Sequence, residues 1–272
     1  MTPTFIANRI VVRAPWLLVA GVLCLWSAPA VAQSVPERPS DKDVKALLER
    51  VDEGRDKFEG NLEGSFKGST LRGPAGETKV SGALQDYQDS TKKLKDRFTA
   101  KYSASAEVAT VLKQSTLIDT FMQGSPMSMK GRSEWDRQTG NLKTLAAAYG
   151  TTFPLPDGAV VRRMNDDETA EVASDIASAA DRFKNDLDAV TTLPAPEKDA
   201  AKKDLDAVIK QANAVKSRTN DGKPATAEVR QLVDQVARLR AVVAAHAVPT
   251  MTNWEAVQAS LGKLQQAFGL TS

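Results

Sequence analysis

An internal repeat constrains the fold of this chain more than any other feature of its sequence. The last helical segment of each half matches the other without a gap, with aromatic, leucine and glycine residues in the same order: Trp135, Leu142, Leu145, Tyr149 and Gly150 beside Trp254, Leu261, Leu264, Phe268 and Gly269. The matched residues recur at the helical period, so each set lies on one face of a helix. We expect the tryptophans and leucines of both sets to be buried.

Three further pairs of segments extend the repeat. In the first pair, four apolar residues recur at one constant offset: Leu47, Val51, Phe58 and Leu62 beside Val172, Ile176, Phe183 and Leu187. The third pair sets Val108, Val111, Leu112, Ile118 and Met122 beside Val229, Leu232, Val233, Leu239 and Val243. The second pair shares only the helical period. Four amphipathic segments in each half predict an all-α fold, a tandem duplication of a four-helix, bundle-like unit with eight main helices after a signal peptide.

Glycine and acidic residues mark the boundaries of the two units. Gly150 and Gly269 are placed to end the last helix of each unit in a left-handed conformation. Asp166 and its acidic neighbours are expected to begin the fifth helix, and Thr226 to cap the seventh. The predicted segments are a signal peptide (1–32), an N-terminal linker (33–40), the first unit (41–150), a linker (151–165) and the second unit (166–269).

The N-terminus has the three parts of a secretory signal peptide. Arg9 and Arg13 supply positive charge, residues 16–26 form an apolar run, and residues 30–32 form a small-x-small cleavage site. A membrane anchor is the alternative interpretation, but the run is shorter than the roughly 20 residues that a helix needs to cross a bilayer. We therefore predict an exported, periplasmic or extracellular protein with no membrane span after signal removal.

Removal of the signal leaves a neutral chain without cysteine. The signal carries two of the 36 Lys and Arg residues and none of the 34 Asp and Glu residues, so 34 of each sign remain. Such a chain has no net field to attract nucleic acid, which we exclude as a partner. Cys24 is the one cysteine of the chain and leaves with the signal. Apolar burial, not disulfides, must therefore stabilise the fold.

The sequence lacks the residue combinations of common catalytic and cofactor sites. After signal removal there is no thiol, and His246 is the single histidine. A serine triad would have to use it, yet nothing else of that constellation is visible. The Glu-x-x-His pairs of di-iron bundles and the Cys-x-x-Cys-His of covalent haem are also missing. We predict no cofactor and no enzymatic activity, while a hydrolase acting through carboxylates that the sequence does not bring together stays an open alternative.

Methionine suggests a second kind of function. Met122, Met127 and Met129 cluster around the connection between the third and fourth helices, and Met251 falls in the equivalent connection of the second unit, near His246. Thioethers are soft ligands suited to Cu(I), whereas methionine also fills gaps in apolar cores. Soft-metal (copper) binding or sensing through these five residues is therefore the alternative function.

The two units differ in the connection between their first two helices. The first unit has a glycine-rich stretch, residues 64–81, where the second has only residues 191–196. Residues 69–72 and 77–80 are predicted to pair as a short hairpin. Because the stretch adds to no apolar stripe, we predict that residues 68–79 within it are dispensable for folding and act as an interaction loop. The candidate interaction residues are Arg72, Gly73, Pro74 and Gly76.

By elimination, the sequence favours a non-catalytic helical binding or interaction protein. Its partner would be an unidentified envelope protein or a small ligand, held by a groove between the two units or by the glycine-rich loop. Exposed apolar area along the seam between the units would favour a protein or lipid partner, whereas a dry, closed bundle surface would leave only the loops.

Overall fold

Helices dominate the structure, a computed structural model that describes residues 37–73, 76–246 and 251–270. Helices account for 72% of these residues, which confirms the prediction of a mostly helical, all-α chain. The elements are α1 (Asp41–Asn61), α2 (Gly64–Lys67), β1 (Thr70–Gly73), β2 (Gly76–Lys79), α3 (Val80–Arg97), α4 (Ser105–Gln123), α5 (Arg132–Ala148), α6 (Asp166–Asp186), α7 (Ala195–Asn220), α8 (Thr226–Ala245) and α9 (Thr252–Ala267). The predicted signal peptide (1–32) and Pro74 lie outside the described residues. None of the helices in the described ranges is long and apolar enough to cross a membrane.

Helices α1 and α6 both begin at a capping box. Ser40 Oγ accepts a hydrogen bond from the Asp43 N–H at 3.2 Å, and Asp43 Oδ2 accepts one from the Ser40 N–H at 3.1 Å. Asn165 and Glu168 make the same reciprocal pair at 2.6 and 2.9 Å. Each box satisfies two backbone donors that a helix start otherwise leaves unpaired. The local sequence therefore determines where these two helices begin.

One predicted helix end is confirmed at each half, and one predicted cap is wrong. Gly150 and Gly269 follow α5 and α9 with φ of 68° and 62°, in the region that favours glycine. Helix α8 has no side-chain cap: Ala225 occupies the N-cap position and Thr226 is the first helical residue. The Thr226 hydroxyl instead accepts a hydrogen bond from the Arg38 N–H at 2.9 Å. A long-range contact thus takes the place of the local one.

The helices of the first half enclose one apolar core. Helices α1 and α4 each pack against both α3 and α5. Phe58 of α1 contacts Trp135 of α5, with ring centroids 4.8 Å apart. Both are buried, as are Leu142 and Leu145 on the same face of α5, which confirms the predicted burial.

The helices of the second half enclose a separate core. Helices α6 and α8 each pack against both α7 and α9. Phe183 of α6 stacks on Trp254 of α9 at a centroid distance of 5.1 Å. Trp254, Leu261 and Leu264 are buried as predicted. The aromatic pair that joins the first and last long helices therefore occurs in both halves.

The glycine-rich stretch is a packed element of the first half. Strands β1 and β2 pair antiparallel, with Leu71 opposite Thr78, which confirms the predicted hairpin. Leu71 is only 4% exposed and belongs to the first core, and a Cβ atom at Gly73 would lie 2.5 Å from Leu117 of α4. The prediction that this stretch adds nothing to the apolar core is therefore wrong. Side chains alternate along a strand, so β1 turns one face toward α4.

The two halves meet at the starts of α1 and α6. Within the described ranges, no helix of one half packs along a helix of the other. The residues from Arg38 to Asp41 instead contact those from Arg163 to Asp166, and the two halves belong to one compact unit. Polar contacts between chain segments, and not an apolar interface between helices, therefore join the halves.

Candidate functional site

The N-termini of α1 and α6 cap each other. The Asp41 N–H donates to Asp166 Oδ2 at 2.8 Å, and the Asp166 N–H donates to Asp41 Oδ2 at the same distance of 2.8 Å. A carboxylate at a helix N-terminus satisfies a free amide and interacts favourably with the helix dipole. Each helix thus supplies the anion that stabilises the start of the other.

Two arginines add a second reciprocal pair of contacts, because each binds a backbone carbonyl and a carboxylate of the other half. Arg163 Nη2 donates to the Pro39 carbonyl at 2.8 Å and to Asp41 Oδ1 at 2.7 Å. Arg38 donates to the Met164 carbonyl and lies 3.7 Å from Asp166 Oδ1. We call Arg38, Asp41, Arg163 and Asp166 the junction network.

Burial governs the electrostatics of the junction network. It raises the pKa of Asp166 above the ordinary value of 3.8, although the Asp41 N–H and the two guanidinium groups oppose the change. Burial, together with repulsion from Arg163, lowers the pKa of Arg38 to about 9. The network joins the halves through hydrogen bonds and ion pairs. Its two cations balance its two carboxylates, so it has no net charge to attract a ligand.

A groove lies beside the junction network, between the segment that follows α5 and helices α6 and α9. It consists of two depressions of about 510 and 460 Å³, which we call together the inter-half groove. The two depressions share Arg162, Met164 and Lys263 in their walls, so they adjoin. Their volumes fall in the range of about 300–1,000 Å³ that is typical of small-molecule sites.

The larger depression combines apolar side chains with two cations. Val160, Met164 and Ala267 form its apolar part, and Val160 is 76% exposed. Arg162 and Lys263 line the same depression. Among the residues that the structure describes, neither cation has a carboxylate oxygen within 4.0 Å. Both are therefore able to pair with a ligand.

The smaller depression adds carboxylates from α6. Glu168, Glu171 and Asp175 line it. Glu168 is engaged in the capping box of α6, whereas Glu171 and Asp175 are exposed and form no ion pair within the described ranges. The shared wall carries the two cations without an ion-pair partner in the described residues, Arg162 and Lys263. On one side of it lies the exposed apolar Val160. On the other side lie Glu171 and Asp175, beside Arg163 and Glu168, which already have partners.

The predicted copper ligands of the first half lie in unlike surroundings. Met122 and Met129 are buried in the first core, at 0% and 5% exposure. Met127 is 78% exposed and lines, with Met129, a depression at the connection between α4 and α5. Among the described residues, Met127 and Met129 thus line one depression, Met129 from a buried position, whereas Met122 lies in the core.

The predicted copper ligands of the second half lie near the end of α8 and the start of α9. Met251 packs against the second core, and His246 Nε2 lies 2.5 Å from Glu197 Oε2. A soft-metal site that includes these residues stays a prediction. Within the described residues, no group of three or more His, Asp or Glu side chains is placed to hold a metal ion.

The predicted interaction residues lie on the hairpin. Arg72 Nε donates to Glu77 Oε1 at 2.7 Å on the opposite strand, and the Arg72 side chain is 84% exposed. Gly76 has φ of 113°, as a glycine next to a tight turn often does. Gly73 contacts α4, and Pro74 lies outside the described residues. The hairpin thus offers an exposed polar face, while Leu71 holds its other face on the core.

The sequence contains a signal for the junction network that the periodicity analysis missed. The offset that relates Phe58 to Phe183 also relates Arg38 to Arg163 and Asp41 to Asp166. The sequence alone places Arg38 and Arg163 in linkers and Asp41 and Asp166 at the starts of the two units, and it does not predict their contact, because charged side chains carry no apolar period. The groove cations, Arg162 and Lys263, have no comparable signal.

Comparison of the chain with protein-family models, with curated proteins and with solved structures finds no match.

Proposed function

We propose that this chain is an exported, non-catalytic binding protein whose small ligand occupies the inter-half groove. The observation that carries the proposal is the exposed apolar patch at Val160 beside two cations without an ion-pair partner in the described residues, Arg162 and Lys263. Apolar walls with a few convergent polar groups are typical of ligand sites. Export is supported by the signal-peptide pattern of residues 1–32.

Titration with 8-anilinonaphthalene-1-sulfonate, an apolar ring system with one anionic group, tests this proposal by calorimetry. We expect saturable binding to the wild-type protein and loss of binding in Ala267→Trp, which fills the larger depression. Ala237→Trp, on an exposed position of α8, is the matched control and should bind as the wild type does. Val160→Glu perturbs the groove at a side chain that makes no core contact, so weaker binding there does not depend on altered folding. Unchanged binding in both groove variants would overturn the proposal.

We also propose that the two halves are copies of one four-helix, bundle-like unit. Aligned aromatic pairs support this, since Phe58 contacts Trp135 and Phe183 contacts Trp254. The reciprocal junction network, in which Arg163 repeats the role of Arg38, supports it independently. An experimental structure should superpose the halves with each aromatic on its counterpart, and unrelated surroundings for the two tryptophans would refute the duplication.

A further inference from the structure

We infer that the inter-half groove binds a single-chain zwitterionic amphiphile, with an anionic group next to its apolar chain and a cationic group beyond it. A phosphocholine or phosphoethanolamine head group on one alkyl chain has this order. The ligand class rests on the proposed function, because it concerns the same groove. It follows from the sequence of surfaces along the groove, which runs from apolar to cationic to anionic.

The apolar chain is assigned to the larger depression. Val160, Met164 and Ala267 line it, and the exposed Val160 side chain would be removed from water by a bound chain. Burial of apolar surface contributes favourably in proportion to the area removed from water. The patch thus favours a ligand with an alkyl segment over a fully polar one.

The anionic group is assigned to the wall that both depressions share. Arg162 presents a planar guanidinium, whose donors match two oxygens of a phosphate at once, and Lys263 adds a second positive charge. Neither side chain is occupied by a carboxylate among the described residues. An oxyanion placed beside Met164 would therefore meet both cations.

The cationic group is assigned to the smaller depression. Glu171 and Asp175 stand one turn apart on α6, and residues four apart lie on the same helix face. Neither carboxylate caps a helix or pairs with a cation within the described ranges. A purely anionic ligand that extended past Lys263 would meet these two negative charges, whereas an ammonium group would complement them.

The shape of the site favours a dispersed monomer over a bilayer surface as the source of this chemistry. The contact surface is a concave groove of two depressions, about 510 and 460 Å³ in volume. A monomer can enter such a groove, while a bilayer presents many head groups in a plane. The predicted mature chain also has no net positive charge with which to attract a membrane.

Four decyl compounds of matched chain length test the order of charges, each used below its micelle concentration. Decylphosphocholine has the inferred order, and decyl-dimethylammonio-propanesulfonate has the reverse. Decyl sulfate and decyltrimethylammonium carry one charge each. Exposed ion pairs change affinity by up to about fivefold each, so decylphosphocholine should bind up to about fivefold more tightly than the singly charged compounds and up to about 25-fold more tightly than the reversed one.

Two double variants assign the charges to residues. Arg162→Ala with Lys263→Ala should remove the preference for decylphosphocholine over decyltrimethylammonium. Glu171→Gln with Asp175→Asn should remove its preference over decyl sulfate. Lys203→Ala with Arg238→Ala removes two exposed charges outside the groove and should leave the order of affinities unchanged. All six positions are exposed, and thermal unfolding midpoints equal to that of the wild type verify that each variant folds.

The outcomes separate the ligand class from the proposed function. Equal affinity for all four compounds, with binding lost in Ala267→Trp, would overturn the zwitterionic class and leave the groove as a binding site. Binding to dioleoylphosphatidylcholine vesicles in a flotation assay, without binding to decylphosphocholine, would overturn the assignment to a dispersed monomer. Failure of all four compounds and of 8-anilinonaphthalene-1-sulfonate would overturn both proposals. The inferred charge order together with both losses of preference would establish the inference.

Discussion

The two halves pack the same aromatic pair but fill the rest of their cores differently. Five buried positions of the first half carry polar side chains, whereas comparable positions on the helices of the second half are apolar and equally buried. The polar residues are Arg55, Tyr87, Thr91, Ser115 and Gln138, and their counterparts are Ala180, Val208, Ala212, Val236 and Val257. The two halves therefore differ in the polarity of one buried layer.

Hydrogen bonds satisfy much of the polar layer in the first half. Gln138 Nε2 donates to the Val51 carbonyl at 2.8 Å and to the Tyr87 hydroxyl at 2.5 Å. Burial raises the pKa of Tyr87 to about 12, so its hydroxyl stays protonated at neutral pH. Gly54 permits this contact, because a Cβ there would lie 2.1 Å from Gln138 Oε1.

The buried layers of the two halves are therefore stabilised by different interactions. A buried polar network contributes modest net stability, but it is costly to break because its groups lose their partners. The apolar layer of the second half is stabilised by burial and close packing of its side chains.

Loss of the aromatic pair should destabilise both halves by a similar amount. Phe58→Ala and Phe183→Ala each remove a buried ring and should lower the free energy of unfolding by about 3–5 kcal/mol. Urea unfolding followed by tryptophan fluorescence measures both. A loss below about 1 kcal/mol for one variant alone would show that the aromatic pairs are not equivalent.

The hairpin makes the first half depend on a stretch that the second half lacks. Leu71→Ala should cost about 2–5 kcal/mol, because its side chain is buried against the first core. Thr78→Ala, on the exposed strand opposite, is the control and should change stability by about 0.5 kcal/mol or less. If thermal unfolding shows the same small loss of stability for both substitutions, the hairpin does not contribute to the first core.

The polar layer should respond to the loss of one partner more than to the loss of both. Gln138→Leu leaves the Tyr87 hydroxyl and the Val51 carbonyl without this donor and should cost about 1–3 kcal/mol. Adding Tyr87→Phe removes the hydroxyl that Gln138→Leu leaves without its donor, and it should recover part of the lost free energy of unfolding. A double-mutant cycle in urea measures the coupling, and strictly additive costs would contradict the network.

Acid should lower the stability of the first half through Asp52, because at the offset that relates Phe58 to Phe183 the second half has Ala177 in its place. Desolvation raises the pKa of Asp52, but hydrogen bonds from Lys95 and Arg55 outweigh it and hold the pKa below the ordinary value of 3.8. Folding therefore favours the ionised form, so this contribution is present above pH 3.8 and is lost as the pH falls through the lower folded pKa.

Asp52→Asn should flatten the decline of stability in that acid range, by about 1 kcal/mol or less, because Asp52 is partly exposed. Unfolding midpoints between neutral pH and pH 3 measure the slope. Asp188→Asn, at an exposed ion pair of the second half, is the comparison and should have a smaller effect. If the unfolding midpoints of the wild type and of Asp52→Asn fall equally with pH, Asp52 does not contribute to the acid sensitivity.

Much of the fold follows from features that are local in sequence. The face of α5 that carries Trp135 and Leu142 was predicted from spacing alone, and glycines 150 and 269 marked where helices end. The hairpin was predicted from its turn residues, but the burial of Leu71 was not, because one apolar residue in a short strand has no period to detect. The prediction that Thr226 caps α8 was wrong, because its hydroxyl accepts a hydrogen bond from the distant Arg38 N–H.

By itself, the sequence determined the helical class, the repeated stripes and the ends of several helices, since each depends on residues within a turn or two of one another. Only the tertiary structure decided that Asp41 and Asp166 cap each other's helices and that Arg162 and Lys263 face one groove. Charged side chains are equally stable on any solvated surface, so their pattern along the chain does not specify a partner. Their surroundings are defined only when segments more than 100 residues apart are brought together.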